Sequence, residues 1–318
     1  MKSAVLGIDT SNYTTSLAMV SASGDVLVDS RQLLPVKEGD VGLRQTDALF
    51  LHVRQWPEVL QQGELSSLQI SAVAVATRPT PQSGSYMPVF LAGQAFAATV
   101  ARVLNVPLIE FSHQEGHMRA ALLHHGMIST SFVAVQISGG TTDVLQATPK
   151  LEGGFDIALL AESTDLHAGQ FIDRVGVHMG LAFPCGRAMD KLAADYALAG
   201  GEPLPIPSAV KAGSISFSGP ASHALRALDR GQDKGAVALG VFRCISNSLE
   251  KVLRERGEGK EKVLLCGGVA ANTHIRQRLM ARLRRHEFVL APPHLAGDNA
   301  VGIAVLGLDR MRSRGHLC

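Results

Sequence analysis

His113 and His117 stand four residues apart in the stretch Phe111-Ser-His-Gln-Glu-Gly-His-Met118. If this segment is helical, as Met118 to Leu123 suggests, both imidazoles leave one face about a turn apart. At that spacing two neutral imidazoles can share a divalent metal. A carboxylate such as Asp298, in the distant Gly297-Asp-Asn-Ala300, would add a third ligand. In a chain with 12 histidines, an ordinary solvated helix face also produces such a pair. A zinc protease is disfavoured, because that motif needs Glu directly after the first His as general base. Here Gln114 fills the position and Glu115 comes one place late.

Two turns have a composition suited to phosphate. Ala4 to Ile8 is an aliphatic run ending in Asp9-Thr-Ser-Asn12, with Ser16 to Val20 running back. Phe132 to Ile137 ends in Ser138-Gly-Gly-Thr-Thr-Asp143, followed by Val144 to Ala147. Either could be an ordinary hairpin turn. Together they read as an internal duplication, two similar lobes facing each other across a cleft. Turns of Gly, Ser and Thr present N–H groups and hydroxyls that suit phosphate oxygens. A third turn, Cys266-Gly-Gly-Val-Ala-Ala-Asn272, joins the strand Val263 to Leu265 to a helix ending near Arg284. Its glycines let backbone approach a ligand closely.

The rest of the chain must position these groups. Val26 to Leu33 reads as a strand after the turn at Ser23-Gly-Asp25. Gln45 to Gln62 reads as a helix, with Leu49, Val53, Trp56 and Leu60 at helical spacing. Then come a strand at Ile70 to Ala76, an Ala-rich helix at Val89 to Leu104 and a strand at Pro107 to Phe111. Ile157 to Ala161 extends the second sheet, and Ala168 to Met179 and Ala188 to Ala199 read as helices. Gly200 to Gly213, with three prolines, reads as a loop without regular structure. Ile215 to Gly219 leads into a helix from about Ala221. A long helix over Gly235 to Arg256 frays at Gly257-Glu-Gly-Lys260, and the last helix runs from Asn299 to about Arg312. Alternating strand and helix predicts an α/β fold with a mostly parallel sheet.

Composition sets the bounds. The chain has 318 residues, 46% hydrophobic and 18% charged, which is enough to fill a sizeable core and excludes disorder. A net charge of +2 is too small to mark a nucleic-acid binder by itself. Arg278, Arg282 and Arg285 share a helix face, with Arg276 and Arg284 nearby, and Arg310, Arg312 and Arg314 lie near the end of the chain. Such groups suit phosphates or are simply solvated. The cysteines at 185, 244, 266 and 318 form no paired pattern, and Cys185 and Cys266 read as small buried thiols. With no apolar run of membrane-spanning length, the expectation is a cytoplasmic protein without a membrane.

Taken in order, the motifs resemble the tRNA threonylcarbamoyladenosine synthase family, once described as O-sialoglycoprotein endopeptidase. His113-Gln-Glu-Gly-His117 is similar to its metal-binding His-x-Glu-Gly-His. Ile137-Ser-Gly-Gly140 is similar to its second-lobe phosphate turn. Ser163-Thr-Asp165 through Asp173-Arg174, Phe183-Pro-Cys-Gly186 through Asp190-Lys-Leu192, Ser216-Phe-Ser-Gly219, Gly267-Gly-Val-Ala-Ala-Asn272 and Asp298-Asn-Ala300 complete the set.

The resemblance implies a duplicated fold of the actin, hexokinase and Hsp70 superfamily (ASKHA). The first lobe would span 1–110 and the second 111–318, with the last helix packing back on the first. It implies that His113, His117 and Asp298 bind one divalent metal, iron or zinc. It further implies that Gln136, Ile137, Ser138, Gly139, Gly140, Asp173, Gly186, Asp190 and Asn272 hold ATP or threonylcarbamoyl-AMP. The implied reaction transfers threonylcarbamoyl to an adenosine beside the anticodon of ANN-decoding tRNAs. The implied partners are tRNA, a paralogous subunit lacking the metal site, and an ATPase subunit. The chain departs from the family in four places. Tyr13 and Thr14 replace two acids in the first turn, and Arg78-Pro-Thr-Pro81 replaces a Gly-Pro-Gly-Leu run. Thr141 replaces a His, and Gln170 replaces a Glu. These departures suggest a divergent paralogue.

Overall fold

A computed structural model describes residues 2–11, 13–37, 42–63, 68–125, 130–256 and 261–316. Asn12, the stretch 257–260 and Cys318 fall outside the described residues.

The first sheet is built from β1 (Lys2–Asp9), β2 (Thr14–Ser21), β3 (Val26–Leu33), β4 (Leu68–Arg78) and β5 (Leu108–Ser112), in the order β3-β2-β1-β4-β5. Helices α1 (Gln45–Gln61) and α2 (Phe90–Leu104) belong to this half, and α3 (His113–Ala121) follows β5 directly. The second sheet begins with β6 (Phe132–Ile137), β7 (Thr142–Pro149) and β8 (Phe155–Ser163). Next come α4 (Ala168–His178), α5 (Gly186–Leu198), the short β9 (Ala209–Lys211) and β10 (Ser214–Ser216), α6 (Ser218–Asp229) and α7 (Lys234–Arg256). The chain closes with β11 (Lys262–Cys266), α8 (Thr273–Arg282), β12 (Glu287–Leu290) and α9 (Val301–Ser313).

The second sheet runs β12-β11-β6-β7-β8-β10-β9, so five of its strands repeat the order of the first. The directions repeat as well. β1 is antiparallel to β2 and parallel to β4, just as β6 is antiparallel to β7 and parallel to β11. One of the two extra strands, β9, lies inside the stretch 200–213 expected to be an irregular loop, and β10 follows directly after it. That expectation is corrected: β9 and β10 are three residues each, too short to show a period in sequence.

Strand alternation divides the core into layers. In β1, Ala4, Leu6 and Ile8 pack outward with Trp56 and Val59 of α1 and Ala97 and Ala101 of α2. Val5 faces the opposite way, into a core that contains residues of both sheets, of α3 and of α9. In β6, Val133, Val135 and Ile137 turn to the outer helices of the second half, whereas Phe132 and Ala134 turn to the shared core. The helices α3 and α9 therefore form a central layer between the sheets, with α9 lying on β1, β2 and β4. Their crossing depends on glycine. A Cβ on Gly302 would lie 1.9 Å from the Gly116 carbonyl oxygen and 2.9 Å from the Ala120 nitrogen.

Candidate metal centre and adjoining cleft

Helix α3 starts where its capping residues place it. The Ser112 hydroxyl accepts the Glu115 N–H, while the Glu115 carboxylate accepts the Ser112 N–H, a reciprocal capping box. The other Glu115 oxygen accepts the Phe155 N–H at 3.3 Å, tying this turn to β8. His113 is thereby fixed as the first helical residue, and His117 follows one turn later. Their ring centroids lie 4.3 Å apart.

Asp298 reaches the pair from the loop before α9. Its Oδ1 lies 3.5 Å from His113 Nε2 and 3.3 Å from His117 Nε2. Asn299 shapes that loop, donating to the carbonyls of Leu295 and Gly297 and accepting the Gly302 N–H. One ligand atom from each of His113, His117 and Asp298 falls within 4.8 Å of the other two. His117 Nε2 is buried and makes no hydrogen bond, despite its nearness to Asp298. An unpartnered imidazole nitrogen beside a second imidazole and a carboxylate fits a divalent ion that accepts mixed N and O ligands.

A residue not assigned from sequence completes the centre. Asp9, 1% exposed, places Oδ2 2.7 Å from His113 Nδ1, and its Oδ1 accepts the Ser11 N–H. The alternation that turns Leu6 and Ile8 outward turns Asp9 inward with Val5, toward the central helices. That parity was the available sequence signal. A carboxylate on Nδ1 fixes the imidazole so that Nε2 is the free ligand atom.

The charges follow from this geometry. Burial opposes a charge on His113, but Asp9 and Asp298 outweigh it and raise its pKa to about 10. Burial and the neighbouring His113 charge lower His117, against the pull of Asp298 and Asp9. Asp298 is held well below the usual carboxylate range by the two imidazoles, although burial acts the other way. Before metal binds, His113 is thus an imidazolium, His117 a neutral imidazole and Asp298 a carboxylate.

A cavity of about 790 Å³ opens between the lobes, and Asp298 is part of its wall. Of the residues implied to hold a nucleotide, Ser138, Gly139, Asp173, Gly186, Asp190 and Asn272 line it. Gln136 and Ile137 are buried in β6, and Gly140 is exposed at the turn. Asn272 caps α8 by accepting the Ile275 N–H and donates to Asp190 Oδ1 at 2.8 Å. Asp173 accepts the Cys185 N–H, and burial raises its pKa against that bond. Gly267, at φ 90°, brings its backbone against β6; a Cβ there would meet the Ile137 oxygen. Tyr13 and Phe183 meet edge to face across the cleft, with centroids 5.6 Å apart.

The family model for TsaD, tRNA N6-adenosine threonylcarbamoyltransferase, matches residues 54–305. The chain belongs to this family. The matched stretch contains His113, His117, Asp298 and every implied nucleotide residue, and it begins after the Asp9 turn. The tRNA N6-adenosine threonylcarbamoyltransferase of Methanopyrus kandleri is 28% identical over 310 residues, covering 95% of this chain and 86% of that one. The Thermofilum pendens protein of the same name is 29% identical over 314 residues, covering 95% and 88%.

Solved structures show the fold at lower identity. Component A of the Acidaminococcus fermentans (R)-2-hydroxyglutaryl-CoA dehydratase superposes with a TM-score of 0.60 at 15% identity, covering 98% of this chain and 99% of that one. Full-length HypF in its phosphate- and nucleotide-bound form gives 0.60 at 14%, covering 97% and 46%. A ROK family glucokinase from Streptomyces griseus with glucose and AMPPNP gives 0.52 at 13%, covering 95% and 98%. The chain shares the fold of these proteins, the two-lobed architecture described above.

Other expectations are resolved by the side chains. Arg278 donates to Asn247 and Arg282 to Glu250, both partners on α7, while Arg276 donates to the carbonyls of Ala270 and Ala291. Arg310 donates to the Gly153 carbonyl and Arg312 to that of Ala22. Most of the arginines read as suiting phosphates or as simply solvated therefore also make hydrogen bonds within the protein. Cys185 and Cys266 are buried, their thiols pushed up by burial and nearby aspartates to about 11 and about 12. No helix among the described residues is long and apolar enough to cross a membrane.

Proposed function

We propose that this chain transfers a threonylcarbamoyl group from threonylcarbamoyl-AMP to adenosine adjacent to the anticodon of ANN-decoding tRNAs. The observation that carries the reading is Asp298, which belongs both to the metal-competent cluster and to the wall of the interlobe cavity. In a TsaD-family chain this supports a reading in which the cluster would stand beside an adenylate seated in the cavity. Ser138 and Gly139 would face its phosphate, with Asp190 and Asn272 farther along the same wall. An iron or zinc ion on His113, His117 and Asp298 would supply Lewis acidity, polarising the mixed anhydride and stabilising the departing adenylate. Asp9 keeps the His113 proton on Nδ1, leaving Nε2 as the ligand atom. The acceptor amine must lose a proton during acyl transfer, and no residue is assigned that role.

A second reading has its own support in Tyr13. Where the family resemblance places an acid, this chain sets an aromatic ring against Phe183. A divergent paralogue would bind metal and ATP or an adenylate through the same residues, and act on another acceptor or as a non-catalytic subunit. Either reading includes a paralogous partner subunit, and the first adds tRNA and an ATPase subunit.

Nucleoside mass spectrometry separates the two. Unmodified ANN-decoding tRNA is incubated with the chain, its partner subunits and threonylcarbamoyl-AMP. Modified adenosine that disappears in the His113→Ala, His117→Ala double variant supports the transferase. Absence of product from protein that still binds metal and AMP supports the paralogue.

A further inference from the structure

Each of the duplicated sheets turns a polar residue near the end of its first strand toward the central layer. In the first lobe the inward-facing residue near the end of β1 is Asp9, which holds His113. In the second lobe it is Gln136, and the β6–β7 register sets Asp143 directly opposite it. Residues opposed in this way share a face of the sheet. Ala134 and Leu145, two positions from each along their strands, belong to the core shared with α3 and α9, so this face looks toward the central helices. Gln114, in the first turn of α3, closes the third side, with Nε2 3.4 Å from Asp143 Oδ2.

This cluster is rich in acceptors and poor in donors. Gln114 is 1% exposed and Gln136 2%, and the Oε1 of each has no hydrogen-bond partner. Two buried amide oxygens left unpaired beside a carboxylate need an explanation, because such groups are nearly always satisfied. The nearest charge to support Asp143 has the wrong sign: Glu162 lies opposite it in β8. Burial and Glu162 together raise Asp143 to about 7 against the Gln114 contact, and no cation among the described residues offsets them. Cys266 neighbours Gln136 in β11, but its thiol stays protonated and offers no thiolate ligand.

We propose that Gln114, Gln136 and Asp143 form a second cation site, lined by oxygen and distinct from the imidazole centre. Neutral carbonyl oxygens with one carboxylate suit a hard ion such as potassium or magnesium, whereas His113 and His117 favour a transition metal. Gln114 turns its amide nitrogen to Asp143 in this structure, and a half-turn of that amide presents the oxygen instead. A bound ion would neutralise Asp143 and fasten the first turn of α3 to the β6–β7 pair. It would also bring positive charge next to the Ser138–Gly140 turn. The site stands on these residues alone and survives failure of the transferase reading.

Crystals of the full chain soaked in rubidium chloride (for potassium) and, separately, in manganese chloride (for magnesium) test it by anomalous diffraction. The expected result is a peak within coordination distance of Gln136 and Asp143 in one soak, resolved from any peak at His113 and His117. The soak that gives it identifies the class of ion. In solution, potassium or magnesium chloride should raise the melting temperature of wild type relative to choline chloride at equal ionic strength. That increment should vanish in Asp143→Asn and shrink in Gln136→Leu. Water alone at the site in both soaks, or an increment unchanged in Asp143→Asn, overturns the proposal.

Discussion

Replacing Asp9 with Asn tests how the metal centre is built, because its two oxygens do different work. Oδ1 accepts the Ser11 N–H and Oδ2 meets His113 Nδ1 at 2.7 Å. Asn keeps the first contact but turns an N–H toward Nδ1, which shifts the imidazole proton to Nε2, the ligand atom. Two consequences follow. In wild type His113 has a pKa of about 10, so metal must displace one proton. His117 is lowered and Asp298 is already ionised, so neither adds another. Affinity should therefore rise about tenfold per pH unit between pH 7 and 9, with proton competition of about a thousandfold at pH 7. In the variant the largest force holding that proton is gone, so the slope falls well below one. Extrapolated to full deprotonation, the variant should bind about 10- to 100-fold more weakly, the usual cost of losing a partner that orients a ligand. This equals about 1.4–2.7 kcal/mol. Zinc or cobalt titrations against a competing chelator from pH 6.5 to 9 measure both quantities. Calorimetry in buffers of different ionisation enthalpy counts the released proton directly. Parallel pH curves for the two proteins, or wild-type binding flat across this range, would refute the assignment of Asp9 and the charge on His113.

Gly302→Ala places a Cβ against backbone atoms of α3 that have little room to retreat. It should cost about 1–3 kcal/mol or more from overpacking and also weaken metal binding, because Asp298 sits just ahead of α9. Thermal melts together with the same metal titration check both effects, and an unshifted metal affinity would show that Asp298 is placed independently of the helix crossing. Asn272→Ala removes the cap of α8, at about 1 kcal/mol, and takes one hydrogen-bond donor from Asp190, leaving those of Thr273. AMP binding by calorimetry should weaken, and an unchanged dissociation constant would exclude Asn272 from the nucleotide site.

What the sequence disclosed and what it concealed divide along physical lines. Short-range patterns were legible: the aliphatic runs ending in small polar turns marked β1 and β6, and the i, i+4 histidines marked one face of α3. The Asp9–His113 contact was not, because it joins residues separated by 104 positions and depends on strand parity meeting a helix start. The arginines of α8 show a similar limit. Their spacing describes a charged face, but nothing local to α8 shows that Arg278 and Arg282 pair with Asn247 and Glu250 on α7. Gln136 was singled out only through the family resemblance, as one of the residues implied to hold the nucleotide. Its unpaired amide oxygen becomes visible once Asp143 and Gln114 are in place around it.

The metal-competent cluster and the cleft are built from different layers, and Asp298 joins them. His113 and His117 belong to the central helix layer, while Ser138, Gly139, Asp190 and Asn272 belong to the second lobe. Asp298 alone of the three ligand candidates is in the cavity wall. It is charged throughout the physiological range, so without a metal it presents a negative charge to any phosphate in the cleft. Ligation would offset that charge. A divalent ion bound in exchange for the His113 proton would add one positive charge to the group formed by Asp9, His113, His117 and Asp298. On the proposed reading, metal and adenylate would then favour one another's binding, and by linkage each would raise the other's affinity by the same factor. Tyr13 and Thr14 stand outside this coupling, because neither contributes a ligand or a charge to it. The proposed function therefore predicts that metal raises AMP affinity in this chain although its first turn carries Tyr13 and Thr14, and titrations of AMP with and without zinc measure it.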